Sequence, residues 1–291
     1  DFNDILRKFK WSEFEEYIKK ESFEFEENAE LLLKAKRKFR EKVLSIPNIE
    51  DRLYRVEDSR LKNFIDNLRR GEVAGIDGTI SFYPTPIGYW CRIGVVAVNY
   101  KGERLNKVVY ISDAHLTDSE LENIGEFFED IEKLSRFTPL LYRALMFYKE
   151  REVALERKEK WRIVHGPLIP LEMRLGRLGV GGVLEANLEL AEKIVEDRRI
   201  LGVLSSTRRL RVLNLGYALE EGEYMKVADL GSFLKAEIRR APEEERVLIT
   251  DFADDYGSKV VVGIYKAFNK AYVFEAREEF FHEAAHLLYA D

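Results

Sequence analysis

Asp77 lies in Val73-Ala-Gly-Ile-Asp-Gly-Thr-Ile-Ser-Phe82, a buried-type strand that carries one carboxylate and continues directly into Gly78-Thr79. Apolar neighbours hold such an acid rigidly, and the glycine lets a phosphate or a second ligand approach closely. A carboxylate on a rigid element suits divalent-metal chemistry on phosphodiesters, where two hard cations must be held about 4 Å apart. The same residues also describe a strand ending in an Asp-Gly turn, so the partners of Asp77 decide between the two readings.

Two groups are candidates for those partners. Glu150, Glu152 and Glu156 lie on a long helical stretch, Tyr148-Lys-Glu-Arg-Glu-Val-Ala-Leu-Glu156, where residues four apart share a face. Any one of them is also a natural solvated partner for Arg151, Arg157 or Lys158. If the helix packs on the sheet, one of these carboxylates meets Asp77. His165 closes the strand Trp161 to Val164, and Gly166-Pro167 turns the chain away. Strand ends are where α/β folds place ligands, although a lone histidine is more often an ordinary hydrogen-bonded residue. Arg208, Arg209 and Arg211 put three guanidiniums into four positions, a density suited to phosphate contacts as well as to a solvated turn. Asp251, Asp254 and Asp255 form an acidic cluster that reads mainly as a turn.

The elements that must position these groups interleave helix and strand. Residues 1 to about 70 read as helices with a joint near Phe23 to Glu27 and a break at Ser45-Ile-Pro-Asn48. Three strands follow, Val73 to Phe82, Gly88 to Tyr100 and Leu105 to Ser112, with a hairpin turn at Lys101-Gly102-Glu103. Asp118 to about Lys160 is helical, with a break at Thr138-Pro139. After the strand ending at His165 comes a loop containing Gly176, Gly179, Gly181 and Gly182, which does not match a dinucleotide fingerprint. Leu184 to Arg199 is a helix and Ile200 to Leu204 a strand. Val247 to Asp251, Val260 to Tyr265 and Ala271 to Phe274 read as three more strands, and Arg277 to Tyr289 as a closing helix. The expected architecture is an α/β core on residues 71–291 with a helical N-terminal extension on 1–70.

Composition narrows the classes. The 291 residues are enough for a full core, and no apolar run is long enough to span a membrane, so a cytoplasmic protein without a membrane partner is expected. One cysteine, Cys91, excludes an internal disulfide and a multi-cysteine zinc site, and reads as a packed core thiol. Charged residues make up 34% and glutamine is absent, a composition that resembles that of thermophiles. The net charge of −6 does not advertise nucleic-acid binding by the surface as a whole.

Ile76-Asp77-Gly78-Thr79, the Glu-bearing helix and Ile163-Val164-His165-Gly166-Pro167-Leu168-Ile169 together resemble the NurA nuclease family. That family has an Ile-Asp-Gly-Ser/Thr motif, a helical Glu and a strand ending in Asp-Gly-Ser/Pro-Leu. The order and spacing agree over roughly residues 70 to 290, and His286 matches a histidine in the family's last helix. The resemblance implies a ribonuclease-H-like mixed sheet with flanking helices. It further implies a manganese-dependent DNA nuclease, with magnesium as the alternative ion. The activities implied are single-strand cleavage and 5′-to-3′ resection at double-strand ends, by a homodimer working with a hexameric HerA-type ATPase that pumps DNA.

By that resemblance Asp77, Glu152, His165 and His286 are the site residues. Asp77 and Glu152 are the metal ligands, His165 is a third ligand or an orienter, His286 positions water or the scissile phosphate, and Glu150 replaces Glu152 if the helix is rotated. Arg208, Arg209 and Arg211 would contact the nucleic acid, substituting for a basic residue expected where Ser205-Ser206 stand. The chain departs from the family at His165, where Asp is usual. Imidazole is neutral and softer than carboxylate, which motivates a second reading: a catalytically weakened DNA-repair subunit that still binds the ATPase. A third reading comes from His282-Glu283-Ala-Ala-His286, which matches the zinc-peptidase helix motif. Only five residues follow it, too few to supply the third ligand such enzymes find downstream.

Overall fold

The computed structural model describes residues 2–7, 13–86, 88–113, 129, 131–132, 138–174, 182–197, 199–204 and 210–291. Gly176, Gly179, Gly181, Ser205, Ser206, Arg208 and Arg209 lie outside the described residues, as does most of the expected helix between 118 and 137. The chain divides into two compact units, Asp1–Glu50 and Asp51–Asp291.

The first unit holds α1 (Phe2–Leu6) and α2 (Phe14–Leu44). The joint expected near Phe23 to Glu27 is not formed, because α2 runs through it unbroken. That stretch has neither Gly nor Pro, and its Glu and Lys residues are strong helix formers. The break expected at Ser45-Ile-Pro-Asn48 is present, since α2 stops at Leu44 and Asn48 takes a left-handed φ of 62°.

The second unit runs β1 (Leu53–Arg55), α3 (Asp58–Arg69), β2 (Val73–Pro84), β3 (Tyr89–Asn99), β4 (Arg104–Ser112), α4 (Thr138–Glu156), β5 (Trp161–His165), α5 (Val183–Glu196), β6 (Ile200–Leu204), α6 (Leu210–Leu215), β7 (Glu223–Asp229), α7 (Leu230–Glu237), α8 (Glu243–Asp255), β8 (Val260–Ala267), β9 (Lys270–Arg277) and α9 (Phe281–Ala290). It begins at Asp51 rather than at 71, because β1 pairs with β7 and so joins the sheet unit. One nine-stranded mixed sheet results, in the order β1-β7-β8-β9-β6-β5-β2-β3-β4. The centre, β2-β5-β6, is parallel, and both flanks are antiparallel.

The three strands read from Val73 onward form as expected, joined at Gly102, whose φ of 76° the turn requires. Val247 to Asp251, expected as a strand, belongs to helix α8. Glu243-Glu244-Glu245 opens that helix, and Ile249, Phe252 and Ala253 bury at helical spacing while Val247 and Leu248 face out. The acidic Asp251, Asp254 and Asp255 are therefore part of this helix, and Asp254 pairs with Lys235.

Alternation along β2 gives it two differently covered faces. Ile76, Gly78, Ile80 and Phe82 turn toward α4, where Phe82 stacks on Tyr142. Val73 turns the other way, into a core built from Trp161, Leu201, Phe274, Phe281 and Leu287 beneath α9. The buried Asp113 accepts hydrogen bonds from the Tyr89 N–H and from the hydroxyls of Thr138 and Tyr142, tying the end of β4 to α4.

His286 lies inside that second core, 1% exposed, rather than near Asp77. Its Nδ1–H donates to the His282 carbonyl at 2.7 Å, and its Nε2 accepts the Glu57 N–H at 3.1 Å. Both ring nitrogens are thereby committed, Nδ1 within α9 and Nε2 to the residue that precedes α3, and the ring packs on Phe64 and Tyr224. This corrects the placement of His286 at the site, and it leaves the His282-Glu283-x-x-His286 motif with no ligand to offer from its second histidine. His282 itself meets the Tyr224 hydroxyl through Nδ1 at 2.9 Å. His286→Ala should destabilise the fold by about 2–4 kcal/mol through a buried cavity and a stranded Glu57 N–H. Chemical denaturation reads this directly, and any loss of activity should follow the folded fraction.

Candidate functional site

Asp77 occupies the middle of β2, where β5 runs parallel on one side and β3 antiparallel on the other. Its side chain points to the face of the sheet opposite α4 and is 67% exposed. The Gly78 N–H donates to its Oδ1 at 2.9 Å, which restrains the carboxylate. His165 ends β5 one strand away, and its Nδ1 lies 3.1 Å from the same Oδ1. An ionised carboxylate only accepts, so the geometry makes Nδ1–H the donor and Nε2 the acceptor nitrogen of the ring. The sequence-predicted pair of Asp77 and His165 is therefore assembled, exposed and mutually oriented.

The helical acids separate clearly. Glu152 faces outward on α4, pairs with Lys149 at 2.9 Å and lines a shallow pocket with Ile93, Val95 and Lys107. It does not approach Asp77, which corrects its placement as a ligand. Glu150 lies directly behind the site: a Cβ built on Gly78 would fall 2.3 Å from its Oε1. Gly78 thus admits the carboxylate that any other residue would exclude. Glu150 is 1% exposed, and Arg151, 0% exposed, is bonded to it.

Arg151 also donates to the carbonyls of Pro167 and Leu168, in the turn that follows His165. The Leu168 N–H in turn donates to Glu275 on β9 at 2.8 Å. The turn after β5 is held from both sides, and this fixes where His165 ends. Sequence reasoning treated Arg151 only as a surface counter-ion. The available signal was its place beside Val153-Ala154, in the apolar stretch of a helix expected to pack on the sheet.

Burial pushes the Glu150 carboxyl up to about 7; the Arg151 charge opposes that rise and the Asp77 charge adds to it. Cys91 is a core thiol, fully buried, with its pKa pushed up to about 11 by burial and then by Asp113, so it is an inert neighbour rather than a nucleophile. Arg211 is the second residue of α6, and Arg208 and Arg209 lie outside the described residues.

The donor set can be compared with what a divalent ion needs. Asp77 and His165 offer one carboxylate and one imidazole, which suit manganese better than magnesium. Glu150 does not complete a triad, because it sits on the other side of β2 and is bonded to Arg151. Among the described residues no group of three or more His, Cys, Asp or Glu side chains is placed to hold an ion together. Because Nδ1–H is bonded to Asp77, Nε2 points away from that carboxylate, and the arrangement fits one ion on a single protein ligand, Asp77 or Nε2, completed by substrate and solvent oxygens. It does not fit a two-ion centre built on three carboxylates.

The sheet and its helices are of the ribonuclease-H-like class, and the fold is NurA-like. The chain superposes on the crystal structure of NurA bound to dAMP and manganese with a TM-score of 0.51 at 10% identity, covering 91% of this chain and 88% of that one. The crystal structure of the NurA nuclease from Sulfolobus solfataricus aligns at 14% identity over 87% of this chain and 86% of that chain, with a TM-score of 0.47. No family model matches the sequence, and no curated protein matches it. No helix of the described residues is long and apolar enough to cross a membrane.

The raised Glu150 pKa has a definite stability signature. Between its ordinary value of 4.5 and about 7, the folded state holds a proton that the unfolded chain has released. The contribution of this group to stability therefore falls as pH rises through that window and is flat above it. Denaturation midpoints of wild type and Glu150→Gln, measured across the same pH range, should converge or cross in that sense. Parallel curves would show that Glu150 does not titrate there.

Proposed function

We propose that this protein is a divalent-metal-dependent DNA nuclease. The observation that carries the reading is the placement of Asp77, on an open sheet face of a NurA-like fold, with His165 against it. Manganese is the preferred ion on the chemistry of a carboxylate and imidazole pair. The substrates are single-stranded DNA and double-strand ends, cut endonucleolytically and in the 5′-to-3′ direction during end resection. A homodimer working in the cytoplasm with a HerA-type hexameric ATPase fits the net charge of −6, because an acidic chain fed by a DNA-pumping ring need not capture DNA unaided.

A bound divalent ion would supply Lewis acidity toward the scissile phosphate. Either Asp77 or Nε2 of His165 would hold it, while Asp77 fixes the tautomer and orientation of the imidazole. Nε2, the acceptor nitrogen, is then suited to ligation or to taking a proton from an attacking water, as in other carboxylate-oriented histidines. Glu150 acts from behind the strand: its charge state changes the field at Asp77 without contacting substrate.

The weakened-subunit reading has its own support. His165 brings no negative charge where the NurA family usually has Asp, and Arg151 engages Glu150. Both differences lower the charge available to bind a cation.

Labelled single-stranded DNA incubated with manganese, magnesium or EDTA tests the proposal. Wild type should cleave with manganese, and Asp77→Ala should lose at least about 100-fold in rate. His165→Asp places a second carboxylate beside Asp77 and should tighten manganese binding, read by calorimetry. Cleavage only in His165→Asp would identify the wild-type chain as a weakened subunit. No cleavage by either protein, with a cognate ATPase present, would sink the nuclease reading.

A further inference from the structure

The face of the sheet that carries Asp77 continues beyond it across β2, β3 and β4. By strand register, Asp77 lies opposite Val96, Thr79 opposite Gly94, Ser81 opposite Arg92 and Tyr83 opposite Trp90, while β4 sets Tyr110 opposite Arg92. Alternation puts all of these side chains on the Asp77 side. At the far end of β2 they form a compact cluster. Trp90 stacks on Tyr110 with centroids 5.7 Å apart, Tyr83 leans on Trp90 at 6.1 Å, and the Arg92 guanidinium lies over both Tyr83 and Tyr110 at 5.8 and 5.2 Å.

Three large rings and a cation are unusual occupants of an open surface. Trp90 is 44% exposed, Tyr110 53% and Tyr83 41%. Arg92 is exposed and forms no ion pair among the described residues, and its guanidinium lies over ring faces. The ground between the cluster and Asp77 is low. Gly94 has no side chain there, and a Cβ on it would press on Thr79 at 3.3 Å. Four residue steps along the strand take Asp77 to Ser81 beside Arg92, a span of about 13 Å.

We propose that Tyr83, Trp90, Arg92 and Tyr110 form a base-stacking platform for single-stranded DNA, aligned along β2 with Asp77. Aromatic faces accept any base, and an arginine among them adds a cation for the backbone or for a base face. The platform shares the strand face with the candidate site, so a strand stacked on it runs toward Asp77 without crossing the sheet. A duplex hides its base faces and cannot use the rings. The exposed Val96, Val98 and Val108 on the same face make a contact between two copies of the chain the competing outcome. Arg92 and the ring cluster favour the nucleic acid. The inference rests on the nuclease reading for the path of the strand.

The full chain in EDTA, titrated against a labelled single-stranded oligonucleotide and its duplex, tests the platform by fluorescence anisotropy. Wild type should prefer the single strand. Trp90→Ala with Tyr110→Ala should weaken that binding by about tenfold or more while leaving duplex affinity nearly unchanged. Arg92→Ala should weaken it and reduce the salt slope by about one. Trp90→Phe should keep most of the affinity but lose the part of the DNA-induced tryptophan quenching that Trp90 contributes in wild type.

Single-strand affinity unchanged within threefold in folded variants would overturn the platform. If those variants instead dissociate a dimer and leave DNA affinity per chain intact, the face is a contact between copies. Wild-type cleavage with unaltered KM in the platform variants would refute the platform and leave the nuclease standing. A wild type that neither binds nor cleaves DNA would remove both.

Discussion

Arg151 is the charge around which this half of the molecule is organised. It has no solvent exposure, so its desolvation must be offset by partners placed at short range. Those partners come from three places in the chain. Glu150 precedes it, the carbonyls of Pro167 and Leu168 belong to the turn after β5, and the charges of Glu275 and Glu172 lie within electrostatic reach. A guanidinium satisfies several acceptors at once in a fixed planar array, which lysine does not. Satisfying it fixes the seat of α4 against β5 and hence the end of β5. Removing one member of such a buried pair commonly costs about 3–5 kcal/mol, because the other charge is left uncompensated.

The position of His165 follows from that arrangement. The strand ends where the turn is clamped, and the ring at its last residue meets Asp77 one strand over. The two acids nearest the site are separated by the pleat of β2. Asp77 projects to the open face, and Gly78 passes above Glu150 on the covered one. One strand therefore divides an exposed, ionisable carboxylate from a buried one whose proton affinity is raised. The open face is also where the aromatic cluster stands, so the Asp77–His165 pair and the rings share the side of the sheet that α4 leaves uncovered.

Several features were readable in sequence because they depend on near neighbours. The hairpins of β2, β3 and β4 follow from alternating apolar residues and from Gly102, and β5, β6, β8 and β9 from short runs of valine, isoleucine and leucine. Asp77 and His165 stood out because each interrupts or ends an apolar strand. Val247 to Asp251 misled because a short apolar run carries no period of its own, and only the burial of Ile249, Phe252 and Ala253 shows the helical one. β1 is three residues long, too short to leave a pattern, and exists through its pairing with β7.

The sequence by itself determined the mixed α/β class, most of the central strands and the two exposed polar residues, Asp77 and His165, that the fold brings together, since those are written in local periodicity and in residue type. Tertiary structure alone decided which glutamate lies behind Asp77. Glu150 and Glu152 differ by two positions on one helix, about 200° of rotation, and only the packing of α4 on Gly78 selects between them. It also decided the role of His286. A histidine in a helix is available for chemistry until its ring nitrogens are bonded, and the partner that binds Nε2 here is the backbone of Glu57, 229 residues earlier in the chain.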